Sequence, residues 1–292
     1  MKTDKPIENE LASKKEVYLC DMKPQLSVII STYNAVDWLE KALWGYAQQS
    51  FAAFELIIAD DGSTSETKDT LNRLGKKLKL NVKHVWQEDE GFQKSRILNK
   101  ALLACTTNYV VMSDGDCIPR ADFIEVHFTR KRPGYFLSGG YFKLPLTISK
   151  HIKPEHIEAQ SCFDIEWLKA QGLPTQFKNN KLKVRGLRQQ LLNALTPTKA
   201  TWNGHNASGW KADLIAVNGF DERMQYGGQD RELGERLVNM GIRPFQIRYS
   251  AICVHLDHKR GYAKPESIAK NKLIRQQTRT EKKIWTPYGI QQ

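Results

Sequence analysis

Between residues 26 and 112, four short β-prone apolar runs alternate with three segments of helical periodicity. This alternation restricts the fold more than any other feature of the chain. The runs are Leu26–Ser31, Phe54–Ala59, Val82–Trp86 and Tyr109–Met112. Between them lie Asp37–Gln49, Glu66–Leu80 and Phe92–Cys105; in the first, Trp38, Leu39, Ala42, Leu43 and Tyr46 share one helical face. Strands separated in this way pair in parallel, with helices on both faces of the sheet. The predicted class is α/β, Rossmann-like, with a mostly parallel central sheet flanked by helices. Ligands of such sheets bind beyond the carboxyl ends of the strands. Thr32-Tyr33-Asn34, Asp60-Asp61-Gly62-Ser63 and Asp114-Gly115-Asp116 all stand at such ends. That coincidence makes one site of three weak signals.

Each signal has a plainer reading. Asp60–Ser63 is also a turn and helix cap, and Asp114-Gly-Asp116 is also an Asp-Gly turn before Pro119. Two carboxylates on alternate residues nevertheless repel unless a cation or proton lies between them. Hard divalent ions take such oxygen ligands and leave positions open for phosphate. Arg96 falls one turn into the helix that follows Gly91, with Asn99 on nearly the same face. It reads as a solvated side chain or, beside two acidic strand ends, as a phosphate or base clamp. Neither a GxxxxGK[ST] loop nor a GxGxxG turn occurs.

Further along, Asp122–Arg132 reads as a short helix and Tyr135–Phe142 as one strand interrupted by Gly139-Gly140. Patterning then weakens from Leu144 to Ala200, where prolines bracket the helical pieces Pro154–Ala170 and Leu187–Leu195. This stretch is expected to be a helical, basic insertion over the sheet. From Trp167 to Ala212 there is no Asp or Glu, while Lys and Arg recur. A helix starts at Gln229 or Asp230 after Gly227-Gly228, so Asp230 stands where the helix dipole favours the ionised form. It is a helix cap or, facing a sugar, a general base. Phe245–Val254 reads as a last strand delivering His255, which can complete a metal shell with aspartates. The expected organisation is a polar arm over 1–23 and a single domain over 24–258. That domain divides into a first half (24–143), the insertion (144–200) and a second half (201–258). A basic tail over 259–292 follows.

The chain has 292 residues, a net charge of +12 and five cysteines without a CxxC pair. The charge calls for an anionic partner: nucleic acid, an acidic membrane surface or phosphorylated substrates. Scattered cysteines suggest reduced thiols rather than a disulfide framework. Neither a secretory signal nor a spanning run is visible. A cytoplasmic protein is expected, at most peripheral on the cytoplasmic face of the inner membrane.

The chain resembles the family 2 glycosyltransferases of the GT-A fold, particularly those whose C-terminal half is of the galactosyltransferase and chondroitin-polymerase type. The resemblance covers about residues 25–143 and 201–258. It rests on Ser27-Val-Ile-Ile-Ser-Thr-Tyr-Asn34, Asp60-Asp-Gly-Ser63, Gly91…Arg96…Asn99, Asp114-Gly-Asp116, Gly219-Phe-Asp221, Gly227-Gly-Gln-Asp230 and His255. It implies an inverting transferase that uses a nucleotide-diphosphate sugar, most often a UDP-sugar, with Mn2+ or Mg2+. Thr32, Tyr33, Asn34, Asp60, Asp61 and Arg96 would hold the nucleoside. Asp114 would bond the ribose or donor sugar, and Asp116 and His255 would bind the metal at the diphosphate. Asp230 would deprotonate the acceptor hydroxyl, with Trp210, Asp221 and Asn206 contacting the acceptor. That acceptor would be a glycan or glycolipid, phosphorylated ones included, of bacterial surface polysaccharide or lipopolysaccharide. Relatives often carry Glu-Asp where this chain has Gln229-Asp230, so any preference inferred through the first residue is in doubt. A pyrophosphorylase-like nucleotidyltransferase would need a glycine-rich basic loop after the first strand, which Ser31–Asn34 does not supply. The charge also suits a nucleic-acid binder, but no motif of basic residues interleaved with aromatics accompanies it. No specific nucleic acid is expected.

Overall fold

The computed structural model describes residues 23–258 and 264–291. Most of the expected N-terminal arm (1–22) and the start of the expected tail (259–263) lie outside the described residues, as does Cys20. The first four strands form where the apolar runs predict: β1 (Leu26–Thr32), β2 (Phe54–Asp60), β3 (Val82–Trp86) and β4 (Tyr109–Asp114). They pair in parallel in the order β3-β2-β1-β4. Alternate residues bury on opposite faces, as both-sided parallel sheets require. Val28, Ile30, Leu56, Ile58 and Val111 meet Leu39, Leu43, Leu71, Leu74 and Phe123 on one side. Ile29, Ile57, Val110 and Met112 meet Ile97, Leu98, Ala101, Leu214 and Leu233 on the other. The register sets Thr32 beside Asp60 and Ser31 beside Asp114, which levels the strand ends.

The second half departs from the expected strands. Tyr135–Phe142 is two strands, β6 (Tyr135–Ser138) and β7 (Gly140–Lys143), in different sheets. The break falls at Gly139, whose N–H donates to the Asn206 carbonyl at 2.8 Å and where a Cβ would collide with the Asn206 side chain. Phe245–Val254 is likewise two pieces, β9 (Arg243–Gln246) and β10 (Ile252–His255), separated by a turn in which Ser250 N–H reaches the Ile247 carbonyl. With β8 (Ala207–Trp210) antiparallel between β4 and β6, the large sheet has seven strands. The small sheet orders β5 (Cys117–Pro119), β10 and β7.

The stretch 144–200 is more than a loose cover. Ile148, Ile152, Ile157, Phe163 and Leu168 close a core with Ile118, Phe142 and Val254 of the small sheet. The expected helix Pro154–Ala170 is broken into Pro154–Glu158, a turn at Ser161–Phe163, and Ile165–Ala170, because Gln160 takes a left-handed conformation (φ 56°). The helix Pro265–Thr280 of the expected tail is docked on the helix Gln229–Asn239. Asn271 Nδ2 donates to the carbonyls of Gln225, Tyr226 and Gly227. Thr278 Oγ1 donates to Glu232, whose carboxylate is gripped by the buried Arg236. Among the described residues no helix is long and apolar enough to cross a membrane.

Candidate functional site

A cleft of about 1820 Å³ opens over the carboxyl ends of β1, β2 and β4 and continues beneath the helix Pro265–Thr280. Thr32, Tyr33, Asn34, Asp61, Asp114, Asp116, Asp230 and His255 line it. These are eight of the residues that the sequence singles out.

At its floor Asp114 Oδ1 accepts from Ser31 Oγ at 2.7 Å and from Lys94 Nζ at 2.6 Å. Burial opposes the Asp114 charge, but the Lys94 ammonium and these bonds outweigh it and hold the carboxyl well below the ordinary range. Burial likewise opposes the Lys94 charge, and Asp114 and Asp230 together hold it protonated. Asp230 lies in the first turn of the helix Gln229–Asn239, and its Oδ1 is buried without a hydrogen-bond partner. Gly204 leaves room for it: a Cβ there would sit 3.1 Å from Oδ1. The dipole was expected to favour ionisation, yet burial dominates and raises the Asp230 carboxyl, against the pull of Lys94.

Asp116 separates from Asp114 because β5 turns away into the small sheet. There His255 pairs with Cys117, and Leu256 N–H holds the Asp116 carbonyl. Asp116 Oδ2 lies 2.8 Å from His258 Nε2 and 3.4 Å from His255 Nε2, and the two imidazoles stack at 5.9 Å. One donor atom from each of the three residues falls within 4.8 Å of the others. His255 Nδ1 is buried without a partner. Two imidazole nitrogens and a carboxylate suit Mn2+ better than Mg2+, which prefers oxygen alone. These residues fit the implied cation, with His258 as a third ligand. Asp257 is not one of them, being tied to Lys143 at 2.8 Å.

At the other end Asp61 accepts from Gln87 Nε2 at 2.7 Å and from the Gln93 N–H at 2.9 Å. Burial pushes its carboxyl from 3.8 up to about 6, against those two bonds. The folded state therefore binds this proton more tightly than the unfolded chain does. The stability so contributed is full below about pH 4 and is lost as pH rises through 6. Denaturant titrations between pH 4 and 7 should show a fall on the order of 1–3 kcal/mol that Asp61→Asn removes. An unchanged profile in the variant would refute this origin.

Other expected site residues are not brought to the cleft. Asp60 is wholly buried, its carboxylate divided between the Ser63 N–H and His84 Nε2. Arg96 turns outward to Glu90 at 2.6 Å and Glu222 at 3.5 Å. Trp210 pairs with Tyr109 at the amino end of β4, because β8 runs antiparallel, and its indole N–H reaches the Arg132 carbonyl. Five residues of strand place it roughly 15 Å from the Asp114 end. Asp221 is buried in a bidentate pair with Arg223 and accepts from Thr286. Asn206 ties the Gly140 and Ala251 carbonyls together beneath the strand crossing.

Among the lining residues to which the sequence assigns no role are Lys94, His205 and His258. A lysine at the first helical position, against the dipole, was the available sign for Lys94. His258, three residues after His255, was visible but carried no periodicity to place it. His205 packs edge-on against Tyr141 at 4.6 Å, and burial pushes its ring down to about 3.

Residues 27–133 match the family model described as glycosyl transferase family 2. A validoxylamine A glucosyltransferase of Streptomyces hygroscopicus subsp. jinggangensis is 26% identical over 254 residues, 81% of this chain and 56% of that protein. A chondroitin synthase of Escherichia coli is 26% identical over 225 residues, 74% of this chain and 32% of that protein. The chain thus spans about half the length, or less, of these curated relatives. Among solved structures, S. aureus TarS 1-349 in complex with UDP-GlcNAc aligns with a TM-score of 0.57 at 17% identity, covering 88% of this chain and 69% of that one. A mannosyltransferase from Pyrobaculum calidifontis in complex with GDP-Man and Mn2+ aligns with a TM-score of 0.54 at 19% identity, covering 88% and 66%. The fold is the GT-A fold that the sequence resemblance implies.

Proposed function

We propose that the chain, whose residues 27–133 match the family 2 glycosyltransferase model, moves a hexosyl or N-acetylhexosaminyl group from a UDP-sugar to a glycan hydroxyl with inversion. The observation that carries this reading is that one cleft is lined both by three residues able to hold a cation, Asp116, His255 and His258, and by Asp230, one of whose carboxylate oxygens is buried without a partner. Tyr33, Asn34 and Asp61 would frame the nucleoside end of the cleft. Asp114, fixed by Lys94 and Ser31, would bond the ribose or the donor sugar. Asp116, His255 and His258 would hold Mn2+, which when bound neutralises a departing diphosphate as a Lewis acid. Asp230 would take the acceptor hydroxyl's proton as that oxygen attacks the anomeric carbon from the face opposite the diphosphate. One displacement with one base inverts the configuration. The relatives support a bacterial polysaccharide as the product, since they include chondroitin and hyaluronan synthases.

The test is a panel of UDP-, GDP- and dTDP-sugars with and without Mn2+, read by thermal shift and slow hydrolysis. A ligand at 100 times its Kd stabilises by about 2.7 kcal/mol. The expected result is Mn2+-dependent stabilisation and release of UDP, largest with a UDP-sugar. No metal-dependent shift with any sugar nucleotide would overturn the reading. Formation of a sugar nucleotide from sugar-1-phosphate and a nucleoside triphosphate would point to a nucleotidyltransferase instead.

A further inference from the structure

The charges lining the cleft are segregated. Among the described residues, those up to 116 contribute six carboxylates and one cation, Lys94. Those from 138 onward contribute seven Lys and Arg and a single carboxylate, Asp230. Two of the seven are neutralised locally, since Arg275 and Arg279 lie 2.6 and 3.4 Å from Glu235. The other five, Lys199, Arg231, Arg248, Lys264 and Lys272, make no ion pair among the described residues. They come from four segments of the chain, only Lys264 and Lys272 sharing one, so no single helix periodicity groups all five. Arg248 is half-buried, its Nε 3.3 Å from where a Cβ on Gly140 would stand, beside the sheet that carries His255. Lys264 and Lys272 belong to the docked segment that roofs this half.

Five like charges around one concavity repel one another, and a ligand of opposite charge relieves that repulsion. The donor's diphosphate is an insufficient reason for them, because the metal-ligand trio and Lys94 already stand at the strand ends where it would bind. Given the sugar-transfer reading of the site, on which this inference rests, we propose that the acceptor is an anionic glycan. Its phosphate or carboxylate groups are held by Lys199, Arg231, Arg248, Lys264 and Lys272, downstream of the hydroxyl presented to Asp230. A neutral glycan offers nothing to relieve the repulsion among these five charges.

The experiment titrates the full chain, with Mn2+ and UDP present, with three labelled probes: a ribitol-phosphate oligomer, a glucuronate-containing hyaluronan oligosaccharide and uncharged maltoheptaose. The wild-type chain should bind at least one anionic probe more tightly than maltoheptaose, with affinity falling as salt rises. Which anionic probe binds tighter distinguishes phosphate from carboxylate. The variant Arg248→Gln/Lys272→Gln removes two exposed or half-buried cations and should weaken anionic binding about 3–10-fold. Its UDP affinity and melting temperature should stay as in the wild type. Equal binding of maltoheptaose, or unchanged anionic binding in the variant, overturns the proposal. So does loss of UDP affinity in the variant, which would give the cations to the donor. Loss of binding to phosphatidylglycerol vesicles, with oligomer binding intact, would assign them to a membrane surface and also overturn it. Failure of the wild type to bind UDP with Mn2+ refutes the sugar-transfer reading itself, and the UDP titration reads that outcome separately.

Discussion

Asp230→Asn is expected to lower sugar transfer by about 10^2–10^4-fold, the range that a positioned general base supplies. That is roughly 3–5 kcal/mol of barrier. The asparagine keeps the shape and the hydrogen-bonding reach of the side chain but cannot accept the acceptor's proton. UDP and Mn2+ affinities should remain within about threefold, because the trio of Asp116, His255 and His258 is untouched. The environment explains why this carboxylate would suit the task. Burial raises it and Lys94 opposes the rise, so its carboxylate is a stronger base than that of an exposed aspartate. The sign of the pH dependence follows. The base form is present above the raised value, so kcat should climb with pH along an acid limb displaced upward from 3.8. In Asp230→Asn the residual rate should lose that limb. Undiminished turnover, or an acid limb that persists in the variant, would remove Asp230 from the reaction.

The same residues show what can and cannot be read from sequence. Apolar runs leading to Thr32, Asp60-Asp61 and Asp114 were legible because parallel pairing depends on local strand and helix periodicity, and that topology itself gathers strand ends. The roles of Asp60 and Arg96 were not legible, since they depend on which side chains the fold brings against them. His84 takes Asp60, and Glu222 helps to turn Arg96 away from the cleft. Trp210 fails as an acceptor platform for a topological reason. Whether β8 ran parallel or antiparallel to β4 decided which end of the sheet it reached, and nothing within Ala207–Trp210 encodes that direction. Gly139 was visible as an interruption, but its meaning required Asn206, 67 positions away, to occupy the space of its missing side chain. The docking of Pro265–Thr280 was hidden by composition. Its exposed face is basic, while its seat depends on three small contacts, Asn271, Ile274 and Thr278.

His258→Ala should weaken Mn2+-dependent UDP binding by at least the roughly 10–100-fold that loss of an outer-shell metal partner typically costs, and Asp116→Ala should do no less. A bound cation would offset the charges of both Asp116 and a diphosphate; without one, carboxylate and phosphate would repel. Both substitutions should therefore convert a metal-stimulated titration into a weak, metal-independent one when UDP is titrated calorimetrically with Mn2+ and then with a chelator. The two losses should also be non-additive. Once either ligand is gone the site no longer closes, so the double variant should bind about as weakly as the worse single one. Asp257 provides the internal control. It stands between His255 and His258 in sequence, but its carboxylate is paired with Lys143 at 2.8 Å, and Asp257→Asn should leave the Mn2+ titration as in the wild type. Sequence proximity and spatial geometry thus predict opposite results for neighbouring residues. A Mn2+ response lost in Asp257→Asn but retained in His258→Ala would mean that the carboxylate, and not the second imidazole, completes the shell.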